Sequence, residues 1–404
     1  MTGITAIGPA LGFWRNARVQ RFAIQTAFLG LVAAFGYYMV DQARGLDLGF
    51  DFLNGRAGFD ISHQLGTSYG RNDSRLDLYI AGIVNTIRLA GVGIVLATLL
   101  GLVVGVARLS GNWLVSRLAT VYVETVRNTP LLVQIFFWYI AVFLQLPRIR
   151  DSINLPPDTI SVLPFIEIPF ISFDLAFLSV RGLALPWATT EDGFGLWLIL
   201  LLVAAVVAVA VRFWRAQRQE RTGQPSHPTW WLLGTFVLIA FVGFAIAGFP
   251  LDPVRPEVGE RSYVGGIRVT AEFAALLVAL VTYTGAFIAE IVRGSLQAVP
   301  KGQTEASAAL GLNSFQRLSS VTLPQALRIM IPPLTSQYLN LTKNSSLAVV
   351  IAFPELVGVS RTIINNAGSA IPMFLVVMAT YLVMSLVISL VMNTVHSRFT
   401  VGTP

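Results

Sequence analysis

Two lysines, three histidines and no cysteine bound the chemistry open to this chain of 404 residues. A loop that cradles nucleotide phosphates needs Gly-Lys ahead of Ser or Thr. Here Pro300 precedes Lys301 and Thr342 precedes Lys343. No such loop exists in the chain, so nucleotide hydrolysis of that kind is not expected of it. His63, His227 and His396 fall in three separate expected loops, and metal ligation by them is not expected. Without cysteine there is neither a disulfide nor a thiolate site. No catalytic constellation is visible, and the paired carboxylates read as solvated surface charge.

One segment, Glu290 to Arg328, concentrates the punctuation of a short docking element. Pro300 and Gly302 interrupt the chain arriving from an apolar run. Thr304 suits an N-cap, which would put Glu305 in the first turn, where the helix dipole favours a negative charge. Ala306, Ala308 and Ala309 are strong helix formers, and Gly311 suits the left-handed position after the last turn. Pro324 marks a further boundary. The spacing therefore predicts a helix of about two turns over 304–310. Alone in water it would be marginal, but its small side chains leave the backbone open to a partner's groove. The plainer alternative is a solvated loop with a chance alanine-rich turn.

Ionisable and polar residues inside apolar runs are the other candidates, because each is costly in a bilayer. Arg88 lies about two turns inside the outer end of its run, near enough for its long side chain to reach the interface instead. Gln134, Asn340, Lys343, Asn344 and Ser345 are candidates for a pathway lining or a dimer interface. Glu290 and Arg293 are three apart on one helix face and read as a structural pair near the inner interface. Glu272 reads as interfacial. Thr282, Thr284 and Gly285 permit close helix contact.

The elements that must position these residues are membrane helices. Hydrophobic residues make up 54% and charged residues 12%, where soluble domains carry about 25% charged. Several apolar runs reach the roughly 20 residues that cross a bilayer core. Eight spans are expected, at 22–40, 80–107, 118–146, 193–213, 229–250, 269–292, 327–353 and 372–395. In the third, Glu124, Arg127 and Pro130 break the first part. The net charge of +7 comes from arginines in short loops, which suits membrane orientation better than a nucleic-acid partner. With the N-terminus inside, the inner loops hold 14 basic residues, Arg15, Arg18 and Arg21 through Arg398, against Glu220 and Glu305. Eight spans return the C-terminus to the same side. The first run follows three arginines and is read as a retained helix. Two long outer segments, 41–79 and 147–192, are expected to be irregular or β-rich. The second is broken by Pro156, Pro157, Pro164 and Pro169.

The segment with the short helix resembles the cytoplasmic "EAA" signature of importer permeases that work with ATP-binding-cassette (ABC) ATPases. Glu305, Ala306 and Ser307, then Gly311, then Val321, Leu323 and Pro324 keep every spacing of that signature. Ser307 replaces an alanine and Val321 an isoleucine, both conservative in size. Asn85-Thr-Ile-Arg-Leu-Ala, Arg127-Asn-Thr-Pro-Leu-Leu-Val-Gln, Ala286-Phe-Ile-Ala-Glu-Ile-Val-Arg-Gly and Lys343-Asn-Ser-Ser-Leu-Ala look like the polar amino-acid uptake branch, with Asn344 where many members carry Asp. The extra first helix and the 147–268 insertion resemble the larger permeases of general L-amino-acid uptake systems.

The resemblance implies an all-α integral membrane protein of about eight transmembrane helices around a five-helix ABC type I importer permease core. It implies four parts: an N-terminal helix with a periplasmic segment (1–79), the first part of the core (80–146), an insertion carrying two extra helices (147–268) and the second part of the core (269–404). Thr304, Glu305, Ala306, Ala309, Gly311, Leu323 and Pro324 become the ATPase-coupling residues. A periplasmic amino-acid-binding protein would deliver substrate, a second permease would complete the pathway, and a separate ABC ATPase would use ATP and Mg²⁺, with no cofactor on this chain. The location implied is the bacterial inner membrane, with both termini cytoplasmic. A secondary transporter driven by an ion gradient is the main alternative. It predicts inverted repeats and acids at the bilayer midplane, and neither is evident. A membrane enzyme would need clustered His, Asp or Glu at one depth.

Overall fold

In the computed structural model, residues 17–43, 49–61, 69–155, 159–163, 166–169, 176–190, 192–223, 227–259 and 263–400 are described. Arg15, His63, Pro156, Pro157 and Pro164 lie outside them. The chain is mostly helical. Among the described residues five helices are long and apolar enough to cross a membrane, and seven if each of two bent pairs counts as one span.

The core is a packed pair. Helix α2 follows α1 (Ala17–Ala43) and runs from Arg75 to Ala107. It opens with a capping box, in which Ser74 Oγ accepts from the Asp77 amide at 3.2 Å and Asp77 Oδ2 accepts from the Ser74 amide at 3.1 Å. Such a box satisfies two of the orphan donors at a helix start. Gly93, Ala97, Gly101 and Gly105 recur every four residues on its buried face. This small-residue stripe lets α7 (Ala271–Gln297), described below, approach backbone to backbone. A Cβ built on Gly105 would stand 2.7 Å from Val292 Cβ and 2.8 Å from the Ala289 carbonyl oxygen. Leu89, Ile135, Leu276, Leu280, Ile288 and Leu341 fill the surrounding core and are fully buried.

The third expected span is two helices, α3 (Trp113–Asn128) and α4 (Leu131–Phe136), with α4 continued by irregular turns to Gln145. They bend by 106° at Thr129–Pro130. Proline supplies no amide hydrogen and disfavours helix in the residue before it, so the break falls there. Gln134 Nε2 donates to the carbonyls of Val126 at 2.9 Å and Thr129 at 3.0 Å. It satisfies backbone acceptors that the bend would otherwise orphan.

The segment 147–192, expected to be irregular or β-rich, carries short strands among its described residues. Strands β1 (Ile153–Leu155), β4 (Ala176–Ser179), β5 (Gly182–Leu185) and β10 (Ile267–Val269) form an antiparallel sheet in the order β1-β4-β5-β10, while β2 (Thr159–Leu163) pairs with β3 (Ile166–Pro169) and β8 (Glu257–Val258) with β9 (Tyr263–Val264). Their register sets Phe177 opposite Ala184. Phe177 stacks on Tyr263 at 6.0 Å over Ile149, and β10 leads directly into α7. The two inserted helices, α5 (Phe194–Thr222) and α6 (Pro228–Ile246), form a hairpin. Its two ends are tied by β6 (Trp187–Thr190) pairing with β7 (Leu251–Val254). Ala204, Ala208 and Gly243 are the buried residues of this hairpin, so most of its apolar surface faces outward. In α1, every side chain from Gln25 to Tyr38 is exposed.

Helix ends run beyond several expected spans. Helix α5 continues past 213 to Thr222, and the last helix, α12, covers Ala370–Thr400. Polar turns beyond a bilayer remain helical because water can satisfy them. His396 accordingly sits in α12 and not in a loop. The expected span 327–353 is α10 (Leu323–Asn344) followed by a 3-10 stretch to Ile351. After a 51° bend comes α11 (Leu356–Ala367). Glu355 is fully buried at that break and caps α11, accepting from the Val357 amide at 2.9 Å and the Gly358 amide at 2.7 Å.

Candidate functional site

Between α7 and α10 the chain forms α8 (Lys301–Ala309) and the single turn α9 (Ser314–Arg317). Two expectations need correction. Helix α8 starts at Lys301, with Pro300 as its N-cap residue, so Thr304 is internal and no acid lies in the first turn. Pro300 fixes φ at −58° and has no amide hydrogen to leave unsatisfied, conditions suited to a helix start. Gly302 falls within the first turn and interrupts nothing. The Thr304 hydroxyl caps nothing here. The Thr304 carbonyl instead accepts from Ser307 Oγ at 2.9 Å.

The other end follows the expectation. Gly311 holds φ +79°. Its amide donates to the Ala308 carbonyl at 2.9 Å, and the Leu312 amide donates to the Ser307 carbonyl at 3.2 Å. These two bonds make a Schellman cap, which satisfies carbonyls the helix leaves open. The Asn313 and Gln316 side chains then box the next turn, each accepting from the other's amide at 2.9 Å. Pro324 sits in the first turn of α10.

Thr304, Glu305, Ala306, Ala309 and Gly311 are all exposed, and so is Leu323, while Pro324 is half-buried. Ser307, absent from the coupling residues read from the sequence, is the one buried member of α8. It turns the helix's inner face toward the body of the chain. The sequence reading also passed over Leu310 and Phe315, which are 81% and 77% exposed beside the Schellman cap. Large apolar side chains left open outside a membrane mark a contact surface. The available signal was two large apolar residues in a segment already expected to lie outside the bilayer.

On α2, α3 and α7, four charges join three helices. Arg108 Nη1, at the end of α2, donates to Glu290 Oε2 on α7, and Arg293 Nη2 donates to Glu290 Oε1. Arg293 Nε also reaches Glu290 Oε2 at 3.1 Å. Arg108 Nη2 lies 3.7 Å from Glu124 Oε1 on α3. The Tyr122 hydroxyl donates to the Thr282 carbonyl at 2.7 Å, and Arg127 lies over the Phe287 ring at 5.0 Å. The Glu290–Arg293 pair read from spacing is thus part of a larger brace. Arg108 and Glu290 lie too far apart in sequence for any local pattern to join them.

The polar residues inside the spans divide into two sets. Asn340 and Lys343 are exposed, and Asn344 is half-buried, on one stretch of α10. Ser345 is fully buried and donates to the Thr342 carbonyl at 2.7 Å. Arg88 is half-buried, with Nη1 shielded and without a hydrogen-bond partner. Gln134 is spent on the α3–α4 bend. Among the described residues no group of three His, Asp or Glu is placed to hold a metal.

A family model described as binding-protein-dependent transport system inner membrane component matches residues 97–401. The general L-amino acid transport system permease protein AapQ of Rhizobium johnstonii is 43% identical over 350 residues, covering 87% of this chain and 83% of that protein. The putative amino-acid ABC transporter permease protein YhdX of Escherichia coli is 40% identical, covering 89% of this chain and 87% of that protein. The glutamate/glutamine/aspartate/asparagine transport system permease protein BztB of Rhodobacter capsulatus is 38% identical over 403 residues, covering 94% and 92%. Among solved structures, a chain of an amino acid ABC transporter crystallised with histidines aligns at TM-score 0.45 and 18% identity, covering 80% of this chain and 94% of that one.

Proposed function

Because this chain belongs to the binding-protein-dependent transport system inner membrane components, and is thus a non-catalytic permease subunit of an ATP-driven importer, we propose that its cargo is amino acids. Relatives named for general L-amino acids and for glutamate, glutamine, aspartate and asparagine support that cargo class. The chain sits in the inner membrane as a multi-pass protein and works with an ATPase and a binding protein.

The observation that carries the mechanism is the exposed helix α8 with its glycine cap, which follows directly on α7, the helix that a charged brace joins to α2 and α3. We propose that the ATPase grips α8 through Glu305, Ala306, Ala309 and the exposed Leu310 and Phe315. ATP and Mg²⁺ are bound and used on that partner. When the ATPase subunits close, the pull on α8 passes through Arg108, Glu290 and Arg293 into the packed pair α2–α7, and the pathway changes its open side. Leu323 and Pro324 set the start of α10, so the same pull reaches the segment that bears Asn340, Lys343 and Asn344. With Arg88 and Ser345, these residues form this chain's share of the pathway, and Gln134 holds the bend beside it. A homologous permease chain supplies the other half. Both termini and α8 lie in the cytoplasm, eight spans cross the bilayer, and 147–268 is an insertion into a five-helix core made of 80–146 and 269–404.

Reconstitution tests this reading. Proteoliposomes that hold this chain, its partner permease and the ATPase should take up a labelled amino acid only with the binding protein outside and ATP inside. Uptake driven by a proton or sodium gradient without ATP would favour the secondary transporter.

A further inference from the structure

On the face assigned to the outside, residues 59–61 of the N-terminal segment meet α11 around a cavity of about 550 Å³. Its floor is the break between α10 and α11. Ala352 lines it and holds φ +56°, a left-handed conformation that a residue with a Cβ keeps only where its surroundings impose it. Phe353 and the capping Glu355, both buried, fix the break from beneath. Above it, the acidic N-terminal segment is itself anchored. The Tyr69 hydroxyl donates to the Phe59 carbonyl at 2.6 Å, and burial, then Asp60, Asp73 and Asp77, raise the Tyr69 phenol pKa above its ordinary value.

Two opposite charges line this cavity without pairing with each other. Asp60 Oδ2 receives Arg71 Nη2 at 3.2 Å, and its Oδ1 has no partner among the described residues. Arg361, exposed on α11, has neither a carboxylate within ion-pair distance nor a hydrogen bond among the described residues, and the Asn365 amide one turn further on is likewise uncommitted. Thr362 spends its hydroxyl on the Gly358 carbonyl at 3.0 Å. The rest of the wall carries no charge, and Ile61, Val349, Phe353 and Val359 make much of it apolar.

We infer that this cavity is a binding site for a zwitterionic α-amino acid, with the α-carboxylate on Arg361 and the α-ammonium at Asp60. The inference rests on the amino-acid importer reading above and deepens it. A planar guanidinium matches a carboxylate with two parallel bonds. One uncommitted cation and one half-committed anion lining the same cavity suit a ligand that carries both charges. The volume lies within the usual ligand-pocket range of roughly 300–1,000 Å³. It leaves room for side chains of different size, and no third charge on the lining selects among them. The site reads the α-groups common to all amino acids and takes substrate before the pathway opens.

The test uses the whole transporter in lipid nanodiscs, without ATP and without binding protein. The probe is labelled L-glutamine, whose side chain is neutral. Its competitors are N-acetyl-L-glutamine, which lacks the ammonium, and L-glutaminamide, which lacks the carboxylate. Wild type should bind L-glutamine and bind each analogue about tenfold or more weakly, the usual loss for one charge-assisted contact. Arg361→Gln should weaken L-glutamine by a similar factor and lose discrimination against the amide, while keeping it against the N-acetyl compound. Asp60→Asn should do the reverse. Both side chains are exposed, and an unchanged elution profile checks that the variants remain folded. No binding by wild type, unchanged binding in both variants, or the same loss of both discriminations in each variant overturns the assignment. It also falls if Arg361→Gln leaves glutamine binding intact but weakens stimulation of the ATPase by the binding protein, since the cavity is then that protein's docking surface. A wild-type complex that imports no amino acid contradicts the importer reading. Import with unchanged binding in the variants contradicts the cavity alone.

Discussion

The Leu312 amide reaches back to the Ser307 carbonyl at 3.2 Å across Gly311, whose φ is +79°. No atom lies within 4 Å of a Cβ built on Gly311, so a substitution there acts through backbone conformation and not through a clash. Gly311→Ala should destabilise the end of α8 by about 1–2 kcal/mol and lower uptake while leaving the membrane abundance of the chain near normal. Gly311→Asn should recover part of the loss, because asparagine tolerates the left-handed region better. Uptake and membrane abundance are measured together, and full uptake by Gly311→Ala would remove the coupling role of this turn.

Gly105 makes the opposite case, a glycine required by space. Its absent Cβ would meet Val292 at 2.7 Å and the Ala289 carbonyl at 2.8 Å. Gly105→Ala should lower the thermal midpoint in detergent, with a cost of about 1–3 kcal/mol for overpacking. Adding Val292→Ala should restore only part of it, because alanine removes the Cγ1 contact but keeps the Cβ at 2.7 Å, and the carbonyl is backbone and cannot move aside. Complete rescue would mean that the α2–α7 contact is looser than its small-residue stripe implies.

Glu290 holds two arginines from two helices. Glu290→Gln leaves Arg293 without its carboxylate and Arg108 with Glu124 alone, 3.7 Å away, and should cost about 1–3 kcal/mol. That is less than the 3–5 kcal/mol typical of a fully buried pair, because the side chain is 29% exposed. A double-mutant cycle with Arg108→Gln should give a coupling energy of at least about 0.5 kcal/mol. Additive losses would mean that the brace does not join α2 to α7.

The orientation has its own test. A reporter fused after Arg221, at the end of α5, should give a cytoplasmic signal, because Arg212, Arg215, Arg218 and Arg221 cluster there. An external signal would invert the topology drawn from charge.

Much of this architecture is legible in the sequence because its cues are local. Apolar length places the five long apolar helices, Pro300 and Gly311 punctuate α8, and broken apolar runs mark 147–192 as irregular or β-rich. The start of α8 differs from the sequence expectation because a threonine cap and a proline start compete within four residues, and proline wins through its fixed φ and missing amide hydrogen. The 106° turn at Pro130 reads in sequence only as an interruption, since the apolar pattern resumes beyond it with no sign of direction. What the sequence hides is pairing over distance. Arg108 is paired with Glu290 by helix packing that no spacing rule reports, and the fold likewise brings Asp60 and Arg361, which do not pair, to the lining of one cavity. Gln134 looks like a pathway residue by composition, but its hydrogen bonds are claimed by a bend that sequence does not reveal.

The most direct measurement is co-purification of the tagged chain from its native membrane in mild detergent, with wild type and a Glu305→Lys, Gly311→Ala double variant compared side by side. The account predicts that wild type brings down an ATPase subunit and a second permease, and that the variant keeps the permease but loses the ATPase. A wild-type chain that purifies alone and transports in liposomes without ATP would contradict it.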